Sequence, residues 1–251
     1  MSPLALSGVI FACIFGGALL GLVISAFLPA HHMSADTKDA VKLGMGLVAT
    51  MAALVLGLLV ASAKGSYDAQ RGNLIQMSTN VILLDRVLAH YGPEAEPVRE
   101  GLRRAISAAH ERIWPSSAAA EAQLAPVGAG REDLYDEIQR LAPQNDAQRA
   151  SQAQALTIAM NLGQTYWLLF EQSGSAISPP LLTVVVLWLT ILFCSFAVFA
   201  PRNATVIVAM FVSALSVAGA LFLILEMDRP FAGMIRISDE PLRRALAQLG
   251  R

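Results

Sequence analysis

Between Ala40 and Tyr91 a hydrophobic run passes into an amphipathic one. Leu43 to Ala63 contains no charged residue. A helix of that length, at 1.5 Å per residue, crosses a hydrocarbon layer of about 30 Å. Beyond Lys64-Gly65 the apolar residues Leu74, Met77, Val81, Leu84, Leu88 and Tyr91 recur at alternating spacings of three and four. That rhythm marks a helix with one face on protein and the other on water. A membrane span therefore leads into a helical domain outside the membrane, with Lys64-Gly65 as the one candidate hinge.

Three further stretches have the same character. Gly8 to Leu28 closes at Pro29, Leu181 to Ala200 follows Pro179-Pro180, and Ala204 to Leu225 follows Pro201-Arg202-Asn203. The last connection is short enough to demand an antiparallel hairpin. No Lys or Arg precedes the first run, which outlasts the roughly 7–15 apolar residues of a signal peptide, so it reads as a retained anchor. Composition agrees: 15% of residues are charged and 55% hydrophobic, against about 25% charged in a soluble domain. Cys13 and Cys194 fall inside apolar runs and read as small hydrophobic side chains, neither a disulfide nor a metal pair.

Within the first run, Gly17 and Gly21 form a GxxxG pair that permits close approach of another helix. The second presents Gly46, Thr50, Ala53, Gly57 and Ala61 on one side and Leu47, Met51, Leu54 and Leu58 on another. The small side suits helix packing. The large side suits lipid, its ordinary partner, or a narrow hydrophobic constriction.

The expected fold is an all-α membrane protein: four transmembrane helices with a helical cytoplasmic domain between the second and third. Residues 1–64 form one membrane hairpin, 65–178 the helical bundle, 179–226 a second hairpin, and 227–251 a tail. The bundle's first helix stops at Gly92-Pro93. The second carries Val98, Leu102, Ala105, Ile106, Ala109 and Ile113 and ends at Pro115. A Ser-, Ala-, Gly- and Pro-rich tract at 116–130 reads as a surface loop. Leu134, Ile138 and Leu141 mark a third, short helix. Asn145 or Asp146 caps a fourth, whose apolar residues are Leu156, Met160, Tyr166, Trp167 and Phe170. The tail ends in a short amphipathic helix with Leu242, Leu246 and Leu249 on one side. Lys64, Arg71, Arg229, Arg236, Arg243 and Arg244 collect on one side of the membrane, against Lys38, Lys42 and Arg202 on the other. The positive-inside rule then puts both termini and the bundle in the cytoplasm.

Convergent chemistry is not found. His31-His32 lies near Asp36 and Asp39, but neighbouring residues point apart and no further ligand returns at metal-binding spacing, so a solvated loop is the reading. His90 and His110 have no nucleophile to serve. Glu132-Asp133, Asp136 and Glu137 suit the positive end of a helix dipole. No phosphate loop, nucleophile elbow, zinc-protease motif or dinucleotide fingerprint occurs, and no basic stripe interleaved with aromatics suggests nucleic acid. No catalytic residue, metal site or cofactor is expected. No ionisable side chain sits at mid-span, which argues against a pump and leaves a passive channel open.

Several stretches carry a family resemblance: Lys42-Leu-Gly-Met-Gly-Leu-Val-Ala-Thr-Met-Ala-Ala-Leu-Val-Leu-Gly-Leu-Leu, then Ala61-Ser-Ala-Lys-Gly-Ser-Tyr, Ile82-Leu-Leu-Asp-Arg, Tyr91-Gly-Pro-Glu, Pro143-Gln-Asn-Asp and Phe199-Ala-Pro-Arg-Asn-Ala-Thr. From about His31 to Arg251 the chain resembles a bacterial membrane family described as bestrophin-like. The resemblance implies a bacterial inner-membrane, multi-pass homo-oligomer, a pentamer as in bestrophins. It would conduct small inorganic ions through a pore lined by the second membrane helix. Carried over, it places Met51, Leu54 and Leu58 at the pore neck, with Thr50 and Ser62 as polar lining. Lys38, Lys42 and Arg202 would lie near the periplasmic mouth. Two departures stand out: this second span has no aromatic residue, and the acidic calcium cluster of animal bestrophins has no counterpart. The alternative is a non-conducting scaffold that binds a partner through the face from Leu74 to Tyr91 or the Trp167–Phe170 stripe, each of which otherwise reads as bundle core.

Overall fold

The computed structural model describes residues 2–29, 34–115, 132–172 and 177–250. Its helices, in order, are α1 (Pro3–Phe27), α2 (Ala35–Tyr91), α3 (Glu96–Ile113), α4 (Glu132–Gln139), α5 (Asp146–Glu171), α6 (Pro179–Val198), α7 (Ala204–Met227) and α8 (Glu240–Gln248). One 3₁₀ turn, Pro93–Ala95, joins α2 to α3, and no strand occurs among the described residues. Four of the helices, α1, α2, α6 and α7, are long and apolar enough to cross a membrane. The chain divides into two compact units, Met1–Gly65 with Ala176–Asp228 and Ser66–Ser175 with Arg229–Arg251.

The division falls inside α2, whose 57 residues run unbroken through Lys64-Gly65. Lys64-Gly65, the candidate hinge, is helical and lies at the boundary between the units. A mid-helix glycine costs only about 1 kcal/mol relative to alanine and does not by itself break a helix. The polar loop expected from His31 to Asp39 is also shorter than its composition suggests. Ser34 Oγ accepts the Thr37 N–H at 3.3 Å and starts the helix there, so Asp36, Lys38 and Asp39 belong to its first turns. His31 and His32, and the 116–130 tract, lie outside the described residues.

In the first unit α1 lies parallel to α6. Gly17 meets Thr190 and, four residues on, Gly21 meets Cys194. A Cβ added to Gly17 would lie 2.7 Å from Thr190 Cγ2, and one on Gly21 would overlap the Cys194 carbonyl oxygen. Only hydrogen fits at these two positions. On another side α1 packs against α7. There the Phe211 ring stands edge-on to Phe11 and Phe15, each at 5.4 Å between centroids. Ile10, Ile14, Leu189, Ala214, Leu221 and Ile224 form the core, joined by Leu59 and Ala63 of α2.

The second unit is built around the apolar side of α2. Leu74, Met77, Val81, Leu84, Leu88 and Tyr91 are all buried, as core and not as a docking face. Each fully buried aliphatic side chain contributes about 1.5–3 kcal/mol. From α3 come Val98, Leu102, Ile106 and Ile113, and from α4 Leu134 and Ile138. Gln152 Nε2 closes the end of α4 by donating to the Ile138 and Leu141 carbonyls at 2.9 and 2.8 Å, groups a helix end cannot satisfy itself.

Asn145 caps α5, its Oδ1 accepting the Gln148 N–H at 2.8 Å. Gln148 Nε2 donates to the Tyr91 carbonyl at 3.0 Å, and at the other end Gln70 Nε2 donates to the Gln172 carbonyl at 2.8 Å. These two bonds set α5 antiparallel to α2. The expected apolar face of α5 needs correction: Met160 and Trp167 are half-exposed, and the buried side is Ala155, Leu162, Thr165, Tyr166 and Leu169. The apolar residues named from the sequence straddle two faces: Tyr166 lies with Leu162 and Leu169 on the buried one, while Met160 and Trp167 lie more than about 100° round the helix from Leu162.

The tail returns to this same core through Phe231, Ile237, Leu242, Ala245 and Leu249. Trp114 Nε1 donates to the Ile237 carbonyl at 3.1 Å, His110 Nε2 lies 3.1 Å from Asp239 Oδ2, and the Gly250 N–H donates to Asp85 Oδ2 at 3.3 Å.

Candidate pore-lining face

The membrane part of α2 touches its own chain along one narrow side. Ala52, Leu59 and Ala63 are buried there, with Val55 and Leu56 partly buried beside them. Among the four candidate spans it is the least buried. The opposite side is uncovered: Leu43, Leu47, Leu54 and Leu58 are 79%, 66%, 70% and 62% exposed.

At 100° per residue, the five candidate lining residues occupy an arc of about 120° away from the packed side. Thr50 and Leu54 point most directly away from it. Leu58, then Met51 and Ser62, turn progressively toward one flank, and Met51 is 45% exposed. The Thr50 hydroxyl donates to the Gly46 carbonyl at 2.9 Å, which leaves its oxygen lone pairs as the outward polar group. Gly46 and Gly57 have open space where a Cβ would stand, so among the described residues nothing packs against them there. Gly17 and Gly21, by contrast, are in contact with α6. The uncovered side thus offers two textures, large apolar side chains and small ones, without a charged group from Leu43 to Ala63.

The three basic residues read as a periplasmic mouth are held individually. Arg202, in the turn between α6 and α7, donates from Nε and Nη2 to Ser25 Oγ at 3.2 and 3.1 Å. That contact puts the α6–α7 turn beside the C-terminal end of α1. Lys42 Nζ pairs with Asp39 Oδ1 at 3.3 Å, both side chains exposed; such pairs contribute little. Lys38 lies one turn before Lys42 on α2. Sequence reasoning found Arg202 from its position but not its partner, since Ser25 is a single hydroxyl in an apolar run and carries no pattern.

No reactive constellation accompanies this face. Among the described residues no three His, Cys, Asp or Glu side chains gather as metal ligands. His90 Nδ1 bonds the Arg86 carbonyl at 2.7 Å, an exposed local contact, and His110 serves the tail. The second unit does hold one group to which the sequence pattern assigns no role: Asp85, within the Ile82-Leu-Leu-Asp-Arg stretch, is buried against Arg99.

A family model for the bestrophin-like domain matches residues 12–242. No curated protein and no solved structure matches the chain.

Proposed function

The chain belongs to the bestrophin-like family of membrane proteins, and on that premise we propose that it is a homo-oligomeric ion channel. Copies would surround a central axis, with the uncovered side of the α2 span turned toward it. One observation carries this reading: the span that its own chain covers least is the one whose outward side joins large apolar residues to small ones. Leu54 and Leu58, with Met51 beside them, would form an apolar neck that gates by excluding water, and Thr50 and Ser62 would supply polar lining. Small inorganic ions would pass down their gradient, with no enzymatic step. A bacterial inner-membrane location with both termini and the second unit in the cytoplasm fits the distribution of Lys and Arg. A pentamer is the stoichiometry that the family relationship suggests. Arg202, Lys38 and Lys42 would raise the local anion concentration at the far mouth.

Ion flux from liposomes holding the purified oligomer tests this. Met51→Ala and Leu54→Ala should each raise the flux, while a folded oligomer that passes no ion under any gradient would overturn the proposal. The alternative, a non-conducting scaffold, loses one of its two contact surfaces, because the Leu74 to Tyr91 face is core. It retains the exposed side of α5.

A further inference from the structure

On α1 a third small residue continues the glycine pair at the same spacing: Gly17, Gly21, Ser25. Gly17 meets Thr190 of α6, and Gly21 meets Cys194 and Ala197. One turn further along that side, Ser25 stands beside the end of α6 and the turn into α7. Its hydroxyl is fully used there. The Oγ–H donates to the Leu22 carbonyl at 2.8 Å, and the oxygen accepts Arg202 Nε at 3.2 Å and Nη2 at 3.1 Å. One proton and two lone pairs are all that a serine hydroxyl has. The Arg202 backbone is held as well. Pro201 before it locks its own φ at about −65°, and Asn203 after it caps α7, its Oδ1 accepting the Val206 N–H at 2.9 Å. Both ends of this exposed arginine are therefore fixed.

The surrounding charges decide what this holding achieves. Only residues 28–34 separate the end of α1 from the start of α2, which opens with Asp36, Lys38, Asp39 and Lys42. These carry two charges of each sign, and Lys42 is paired with Asp39. The helix ends balance too, since α1 and α6 finish here while α2 and α7 begin. Arg202 is different. Its partner is a neutral hydroxyl, and among the described residues no carboxylate pairs with it. Its charge is the net charge of this end of the first unit. We infer that Ser25 is a positioning residue for ion entry: it holds the Arg202 guanidinium against α1 and so fixes an uncancelled positive charge at the mouth, which favours anions over cations there. An unheld arginine spreads its charge through water and headgroups on a long flexible stem. A charge repeated in every copy at one fixed place focuses the field instead. The inference rests on the channel reading above and adds to it the neutral residue through which Arg202 acts.

The test is the reversal potential of the full-length oligomer in planar bilayers under a potassium chloride gradient, at pH 8, where imidazoles are neutral. It is measured near 20 mM salt and near 1 M, where charges reach about 20 Å and about 3 Å respectively. Ser25→Ala keeps the charge and frees it, Arg202→Gln removes it, and Ser25→Thr keeps the hydroxyl. At low salt Ser25→Ala should lower the chloride-to-potassium permeability ratio by about twofold or more. Arg202→Gln should lower it at least as far, and Ser25→Thr should match the wild type. At high salt all four proteins should agree. Damage to the fold alters how many channels conduct, not this ratio. A low-salt ratio unmoved by Ser25→Ala, or a shift that persists at high salt, would overturn the inference and leave the channel reading standing. A folded wild-type oligomer that conducts neither ion ends both.

Discussion

Arg99 holds Asp85 with two nitrogens, Nε 2.8 Å from Oδ1 and Nη2 3.2 Å from Oδ2, and both side chains are largely buried, at 13% and 6% exposure. The hydrogen bond to Asp85 pushes the Arg99 guanidinium pKa up from its ordinary value, against the opposing effect of burial. Because Asp85 also receives the Gly250 N–H, one carboxylate ties α2 to both α3 and the returning tail. Asp85→Ala takes from a buried guanidinium its two-pronged partner, leaving only the exposed Glu96 at 2.8 Å from Nη1, and should destabilise the second unit by about 3 kcal/mol. Thermal unfolding of the purified protein reads this directly. The double change Asp85→Leu with Arg99→Met should recover much of the loss, because it removes both desolvated charges.

Tyr91 ends the buried side of α2, and its hydroxyl has no hydrogen-bond partner among the described residues. Burial, helped by the nearby Glu94 carboxylate, raises the phenol above its ordinary pKa. A group whose folded pKa is raised contributes stability that is present below the unfolded value of ~10 and lost as pH climbs through the folded one. Tyr91→Phe should therefore be neutral or stabilising by about 1 kcal/mol near neutral pH. It should also flatten the loss of thermal stability above pH ~10. A clear destabilisation at neutral pH would show that the hydroxyl is satisfied after all.

Gly21 and Gly57 are both membrane glycines with opposite surroundings. Gly21→Ala drives a methyl into the α6 backbone at Cys194, a contact that cannot yield by rotating a side chain. It should cost about 1–3 kcal/mol and lower the yield of monodisperse protein. Gly57→Ala meets open space within the chain and should leave the fold of a single copy intact, so any loss it causes should appear in the oligomer population instead. Size-exclusion profiles of the two variants in mild detergent separate these effects.

The Trp114 indole supplies one of the tail's hydrogen bonds to the second unit. Trp114→Phe keeps the ring contact with Phe231, at 5.9 Å, and removes the donor to the Ile237 carbonyl. About 1 kcal/mol should be lost, concentrated in the 229–250 segment. Hydrogen exchange should show faster opening of α8 with α2 and α3 unaffected. Uniform acceleration across the second unit would mean that the tail and the rest of that core open as one cooperative unit.

The long apolar runs and the strict three-and-four rhythm make the four spans and the α2 core readable from the residues alone, because both signals are dense and local. Periodicity fails on α5. Its buried side joins Ala155 and Thr165 to Leu162, Tyr166 and Leu169, its exposed side holds Met160 and Trp167, and with large apolar residues on both faces size does not pick out the inner one. At Lys64-Gly65 the glycine and the change of polarity mark the boundary between the two units, while the helix itself continues through them. The Asp85–Arg99 pair and the Ser25–Arg202 contact link positions 14 and 177 residues apart. No periodicity encodes such pairings. The candidate pore side is legible as a pattern on one helix; which parts of the chain leave it uncovered is not.

The seam between α1 and α6 has a mechanical consequence. Gly21 brings backbone against the Cys194 carbonyl and Gly17 meets the short, branched Thr190, so no long flexible side chain lies at these two crossings to absorb displacement. A slide of one residue would drive Ala18 or Leu22 into the space that only hydrogen fills. The two helices are therefore keyed together and act as one strut. The α2 span meets the same unit through Leu59 and Ala63, and its glycines Gly46 and Gly57 form no such key there.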